Sequence, residues 1–142
     1  MQKEDLFKLI DYAYCAGIID GEGCISIREI RHNNFCLELQ VEMSNKEVLY
    51  FLRETFGGNI YKRRKIRSNK QMFIWKISGD DVKNVLKIVL PFLIEKKRKA
   101  EIAIEFRNYV DKTQYKGGGQ RLSEEIIIRR KKFCNAMREG RI

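Results

Sequence analysis

An α+β domain, with one antiparallel four-stranded sheet and helices packed on one of its faces, is the fold class that three observations predict. Strand-like segments occur as two turn-linked pairs, helical segments bracket each pair, and the order reads α-β-β-α-β-β-α with two more helices after it. The 142 residues, 44% hydrophobic and 11% aromatic, suffice for one core without disulfide or metal staples. One domain over residues 1–142 is expected, a core of about 4–110 and a helical extension of about 111–142.

Residues 4–20 place Leu6, Leu9, Ile10, Ala13, Ala16 and Gly17 at helical spacing, and Gly21-Glu22-Gly23 is expected to stop that helix through a glycine at positive φ. Cys24–Ile30 and Phe35–Met43 alternate and carry β-branched residues, two strands turned at His32-Asn33-Asn34. Ser44-Asn45-Lys46-Glu47 reads as a capping box for a helix with Val48, Leu49, Leu52 and Phe56 on one face, closed by Gly57-Gly58. Asn59–Ile66 and Gln71–Ile77 follow as strands, joined at Arg67-Ser68-Asn69-Lys70. Ser78-Gly79-Asp80-Asp81 opens a helix with Val82, Val85, Leu86 and Val89 inward, ending before Pro91. A helix from about Lys97 to Tyr109 presents Ala100, Ala103, Ile104 and Phe106. Gly117-Gly118-Gly119 reads as a loop, and Ser123 caps a last helix near Ser123–Arg138 with Glu124 and Glu125 in its first turn. That helix carries Arg129-Arg130-Lys131-Lys132 and is expected to cover the fold or to touch flanking phosphates.

Charge narrows the function. Lys and Arg total 29 against 19 Asp and Glu, a net charge of +10, and the pI is near 9.6. Such a surplus points to a polyanion, nucleic acid or an acidic membrane face. No apolar run approaches the ~20 residues of a membrane span. Met1-Gln2-Lys3-Glu4-Asp5 is too acidic for a secretory or transit signal, so an intracellular protein that works where it is made is expected. Cys15, Cys24, Cys36 and Cys134 form no C-x-x-C pair and only His32 could add an imidazole, so reduced thiols are expected rather than a zinc site.

The sharpest feature is Ala13-x-x-Ala16-Gly17-x-x-Asp20 running into Gly21-Glu22-Gly23. Small residues on one helix face let a second helix approach closely. A carboxylate at a helix C-terminus sits against carbonyls that are already partly negative, an unfavourable placement that nevertheless makes a hard-oxygen site for Mg²⁺. Two such helices meeting would bring two Glu22 side chains together. The same spacing also suits a helix whose small residues are ordinary core, whose Gly21 is a C-cap and whose Glu22 is a solvated loop residue.

Cys15-Ala16-Gly17-Ile18-Ile19-Asp20-Gly21-Glu22-Gly23 resembles the signature of the LAGLIDADG homing endonucleases. Ala16, Gly17, Ile19, Asp20 and Gly23 match it, Ile18, Gly21 and Glu22 are conservative, and Cys15 in place of Leu is the clearest departure. The element order is that fold's order, and Pro91-Phe92-Leu93-Ile94-Glu95-Lys96 is similar to the family's segment that delivers an active-site lysine; the resemblance spans roughly residues 7–110. It implies a homodimer, since one motif is present, with Ala13, Ala16, Gly17 and Asp20 at the interface. It implies a site-specific Mg²⁺-dependent DNA endonuclease that breaks both strands of a long near-palindromic duplex, with Mn²⁺ able to substitute and Ca²⁺ supporting binding without cleavage. Carried over residue by residue, Glu22 and the Gly21 carbonyl hold metal, Asp20 organises the helix end, and Lys96 stabilises the scissile phosphate or its attacking water. The family's usual polar residue leaving the second strand falls here on Met43, or on Glu42 if the register shifts by one, so Glu42 is the supporting candidate.

Alternation gives the sheet two faces. Ile25, Ile27, Leu37, Leu39 and Val41 form the expected core face; Ser26, Arg28, His32, Glu38 and Gln40 lie opposite. Lys62 to Lys70 holds six basic residues and no acid. A curved ribbon of this chemistry suits a major groove, and charged residues also protect a solvated sheet edge. The candidate DNA contacts are Ser26, Arg28, His32, Glu38, Gln40, Lys62, Arg64, Ile66, Gln71 and Phe73. A free-standing, intron-encoded enzyme at the DNA of an organelle or prokaryotic genome is the implied setting. An intron maturase binding RNA on the same fold, a DNA-binding protein without cleavage, and a basic domain with an accidental motif are the alternatives.

Overall fold

Helix α1 runs unbroken from Lys3 to Glu22 in the computed structural model, which describes residues 1–65, 69–113 and 122–140. The helix does not stop at Gly21: it continues through Glu22, and Gly23 leaves it in an extended conformation, φ −80° and ψ 159°. Gly23 is required for room rather than for positive φ. A Cβ there would lie 2.5 Å from the Ile19 carbonyl oxygen.

β1 (Gly23–Arg31) and β2 (Asn34–Met43) form the first hairpin, β3 (Asn59–Lys62) and β4 (Phe73–Ser78) the second. All pairings are antiparallel, in the order β1-β2-β4-β3. The first turn narrows to His32-Asn33, with Asn33 at φ +65°, and the register slips between Glu29 and Arg31. Asparagine tolerates that left-handed conformation better than most residues. β3 is shorter than its basic sequence predicts: beyond Lys62, Arg63 donates one backbone hydrogen bond to Met72 at 2.9 Å. Ile66, Arg67 and Ser68, and Gly117-Gly118-Gly119, lie outside the described residues.

Helices α2 (Lys46–Phe56), α3 (Asp80–Val89), α4 (Lys97–Lys112) and α5 (Glu124–Glu139) complete the order, with a 3-10 turn at Leu90–Phe92. Asn45 rather than Ser44 caps α2, its side chain accepting from the Glu47 N–H at 2.9 Å. Ser123 caps α5 through the Ile126 N–H. One cluster of buried side chains runs from Cys15 through Leu37, Leu39, Trp75, Leu86 and Phe106 to Met137. Each large apolar side chain taken from water contributes about 1.5–3 kcal/mol. Trp75, fully buried, donates from Nε1 to the Gly57 carbonyl at 2.8 Å and so ties the end of α2 to β4. Helix α5 packs against α4 and β1, burying Phe133, Cys134 and Met137, with the Cys134 thiol donating to the Ile27 carbonyl. The last helix therefore covers the fold, and Arg130 of its basic run is buried with it.

Candidate functional site

The carboxyl end of α1 is built from two segments 76 residues apart in sequence. Asp20 accepts backbone N–H groups from Ile94 at 3.0 Å, Glu95 at 3.1 Å and Lys96 at 2.8 Å. Lys96 returns the contact, its Nζ donating to the Asp20 carbonyl at 2.5 Å. Desolvation raises the Asp20 pKa, but the three N–H donors and the Lys96 charge outweigh it and hold the group below the ordinary carboxylate range. Asp20 is thus occupied in fastening the lysine segment to the helix end, while Gly21 and Glu22 are exposed beside it. Glu22 forms no ion pair among the described residues.

No group of three or more His, Cys, Asp or Glu side chains that could hold a metal occurs among the described residues. At this helix end the chain offers the exposed Glu22 carboxylate with helix-terminal carbonyls next to it. That donor set suits a hard cation of the Mg²⁺ class, which keeps several waters and takes only one or two carboxylates.

Along α1, Leu6, Phe7, Leu9, Ile10 and Tyr14 are exposed apolar side chains, and Ala13, Gly17 and Gly21 are exposed with them. Ala16 is not part of that face: it is fully buried in the chain's own core with Cys15 and Ile19. Helical geometry puts Ile19 across the helix from Ile10 and Gly17, and Ala16 on the flank between, where the chain's own core covers it. The exposed stripe is therefore Leu6, Ile10, Ala13, Gly17 and Gly21, with Asp20 half-buried at its edge.

The helices cover one side of the sheet, where Ile25, Leu39 and Ile77 lie abreast, as do Val41, Trp75 and Ile60. Cross-strand partners share a face, so the open face carries Ser26, Glu38 and Ser78 in one row and Gln40, Lys76 and Asn59 in the next. Arg28 and Glu42 stand on that face too, and His32 is exposed at the hairpin tip. Arg28 Nη2 donates to Glu38 Oε1 at 2.8 Å, with Lys76 Nζ 3.1 Å from the same oxygen.

Four expected contacts, Phe73, Lys62, Glu38 and Gln71, are placed elsewhere. Phe73 and Lys62 pair with each other, and Phe73 pairs with Met43, a row on the helix side. Phe73 packs against the core and receives the Lys46 ammonium 4.4 Å from its ring centroid. The cause is Ile60: once it packs beside Trp75, every even position of β3 faces the helices. Tyr61 and Arg63 face outward instead, and Arg63 pairs with Glu42. The same parity withdraws Met43 into the core and leaves Glu42 on the open face. Glu38 is buried between two cations rather than offered to solvent. Gln71 is held by its own loop, donating to the Arg63 and Met72 carbonyls. Arg64 lies past β3, lining a cavity of about 190 Å³ with Lys65, Asn69 and Lys70; Ile66 lies outside the described residues. Lys76, Tyr61 and Arg63 were not among the candidates; the registers of β4 on β2 and of β3 on β4 identify them.

A family model described as LAGLIDADG endonuclease matches residues 15–113. Among solved structures, the homing endonuclease I-CvuI, in complex with the I-CreI target in 2 mM Mg with the DNA not cleaved, superposes with a TM-score of 0.77 at 18% identity, over 95% of this chain and 84% of that one. The archaeal intron-encoded homing endonuclease I-Vdi141I, complexed with DNA, gives 0.74 at 19% identity over 99% and 87%. The homing endonuclease I-TnaI gives 0.65 at 20% over 89% and 86%. No curated protein sequence matches the chain significantly. With the signature at the end of α1, the helix-covered four-stranded sheet and a family match reaching from Cys15 to Thr113, the chain belongs to the LAGLIDADG endonuclease family.

Proposed function

We propose that this chain is a homodimeric, divalent-metal-dependent homing endonuclease, one domain over residues 1–142, that breaks both strands of a long near-palindromic DNA site and is intron-encoded. One observation carries the reading: Asp20 fastens Lys96 to the helix end, beside an exposed Glu22 and an exposed small-residue stripe. Gly17 and Gly21 support the dimer. Each costs a helix about 1 kcal/mol relative to Ala, and a Cβ at either would meet nothing within 4 Å among the described residues. Close approach of a second α1 gives those glycines a reason and brings two Glu22 carboxylates to one place. No described helix is long and apolar enough to cross a membrane, and the +10 charge favours DNA; the place of action is inside the cell, at the DNA of the encoding genome.

In this chemistry Glu22 and the Gly21 carbonyl hold the cation, which when bound supplies Lewis acidity for water activation and charge neutralisation at the phosphate. Lys96 places an ammonium beside it, oriented by the Asp20 carbonyl, with N–H donors left for a phosphate oxygen. The open sheet face supplies side chains for the major groove.

The test enriches a randomised duplex library on the protein in Ca²⁺, switches to Mg²⁺ and sequences the cut ends, beside Glu22→Gln. A palindromic consensus cut at its centre by the unmodified protein alone is expected. A consensus without cutting would remove the nuclease assignment, and no enrichment would redirect the search to structured RNA.

A further inference from the structure

We propose that Glu38 is a positioning residue for base recognition: it clamps Arg28 and Lys76 into one two-cation unit on the open sheet face, directed at a guanine in one of two adjacent base pairs of each half-site. The inference rests on the reading of this face as a DNA surface.

Glu38 is 7% exposed, on the sheet face opposite the described helices. A carboxylate withdrawn from water is tolerated only when paired, and here the partners arrive from both neighbouring strands. Arg28 comes from β1 at 2.8 Å and Lys76 from β4 at 3.1 Å, on the same oxygen. Reading cytosine directly would need a carboxylate oxygen open to the groove to accept from N4. The Glu38 side chain is instead 10% exposed, against 60% for Arg28 and 30% for Lys76, so an approaching duplex meets the cations.

Both cations keep donors after bonding Glu38. A guanidinium has five N–H groups and an ammonium three, of which each has committed one here. Donors without acceptors match the O6 and N7 acceptors of guanine in the major groove. Two nitrogens bonded to one oxygen span little more than one base step, about 3.4 Å, so they address the same or adjacent base pairs. Holding two long side chains in place beforehand also lowers the ordering cost on binding. Ser26 and Ser78, directly opposite Glu38 on either side, are small enough to leave the pair accessible.

The experiment selects duplexes from the randomised library in Ca²⁺ with the unmodified full chain and with Glu38→Gln, Arg28→Met and Lys76→Met. Affinities for the selected duplex and an unrelated duplex are then measured at one salt concentration, with melting temperatures alongside. Glu38→Gln is expected to lower the guanine preference roughly tenfold at a contiguous block of one or two base pairs, the block that both methionine variants lose. Its affinity for unrelated DNA should not fall, because a negative charge has left a phosphate-binding surface. An undiminished consensus in Glu38→Gln, a block without guanine, or separate blocks for Arg28→Met and Lys76→Met would each overturn the proposal. So would parallel losses on both duplexes with a lowered melting temperature, the mark of a merely structural carboxylate. If Glu38→Gln does not fold, the two surface variants decide by overlap or separation of their blocks. Failure of the unmodified protein to select any duplex would instead overturn the DNA reading, and this inference with it.

Discussion

At the scale of single residues, the division of labour between Asp20 and Glu22 explains why two carboxylates stand at a helix end that disfavours them. Asp20 is neutralised by three backbone N–H groups and Lys96, whereas Glu22 is exposed without an ion pair among the described residues. Glu22→Gln is expected to cut cleavage by at least roughly 10²–10³-fold with little change in DNA affinity; Lys96→Met should act in the same direction. Comparable cutting by either variant in a single-turnover assay would remove that residue from the site. For Asp20 the prediction concerns stability. Its folded pKa lies below the ordinary value, so its contribution is present above the unfolded carboxylate pKa and is lost as pH falls through the folded one. Asp20→Asn should therefore melt lower at pH 7, and the gap should close under acid conditions below the carboxylate range. A gap of constant size in a series of melting curves from pH 7 to 3 would contradict the assignment. Cys15, the departure from the family signature, behaves as the apolar residue its position demands: burial pushes its thiol up to about 11, leaving it neutral at physiological pH.

At the scale of elements, the exit from α1 is set by crowding. Gly23 passes so close to the Ile19 carbonyl that any side chain must displace backbone, and the same turn carries Glu22. Gly23→Ala should cost about 1–3 kcal/mol and should also depress cleavage by shifting the carboxylate. Thermal melting together with a cleavage assay checks this; a variant with unchanged melting temperature and activity would show that the strand absorbs the methyl group. Most elements are legible in the sequence because local signals agree. Val82, Val85, Leu86 and Val89 locate α3, and Ser123 locates the start of α5. The discrepancies fall where local signals are weak. The basic run after Lys62 has no apolar alternation to hold it on β4, and Met72-Phe73-Ile74-Trp75 is apolar on both faces, so neither strand announces its register.

At the scale of the whole molecule, the exposed face of α1 and the open face of the sheet lie on different sides of the core, one fit for a second copy and the other for a polyanion. Gly17→Trp tests the first. The site has free space within one chain, so the variant should fold, yet sediment as a monomer and lose double-strand cleavage. A dimer that still cuts would place the interface elsewhere on the molecule.

What the sequence determined by itself was whatever depends on nearest neighbours and composition: the helices, the two hairpins, the polyanion preference and the nine-residue signature from Cys15 to Gly23. What tertiary structure decided was facing and partnership. The burial of Ala16, the outward turn of Arg63 in place of Lys62, the withdrawal of Glu38 between Arg28 and Lys76, and the tie between Asp20 and Lys96 all depend on residues distant in the chain. A one-residue change of register reverses every side chain of a strand, and that register is fixed by Ile60 packing beside Trp75. A sequence exposes its periodicities to inspection, but not which of two faces the core will claim.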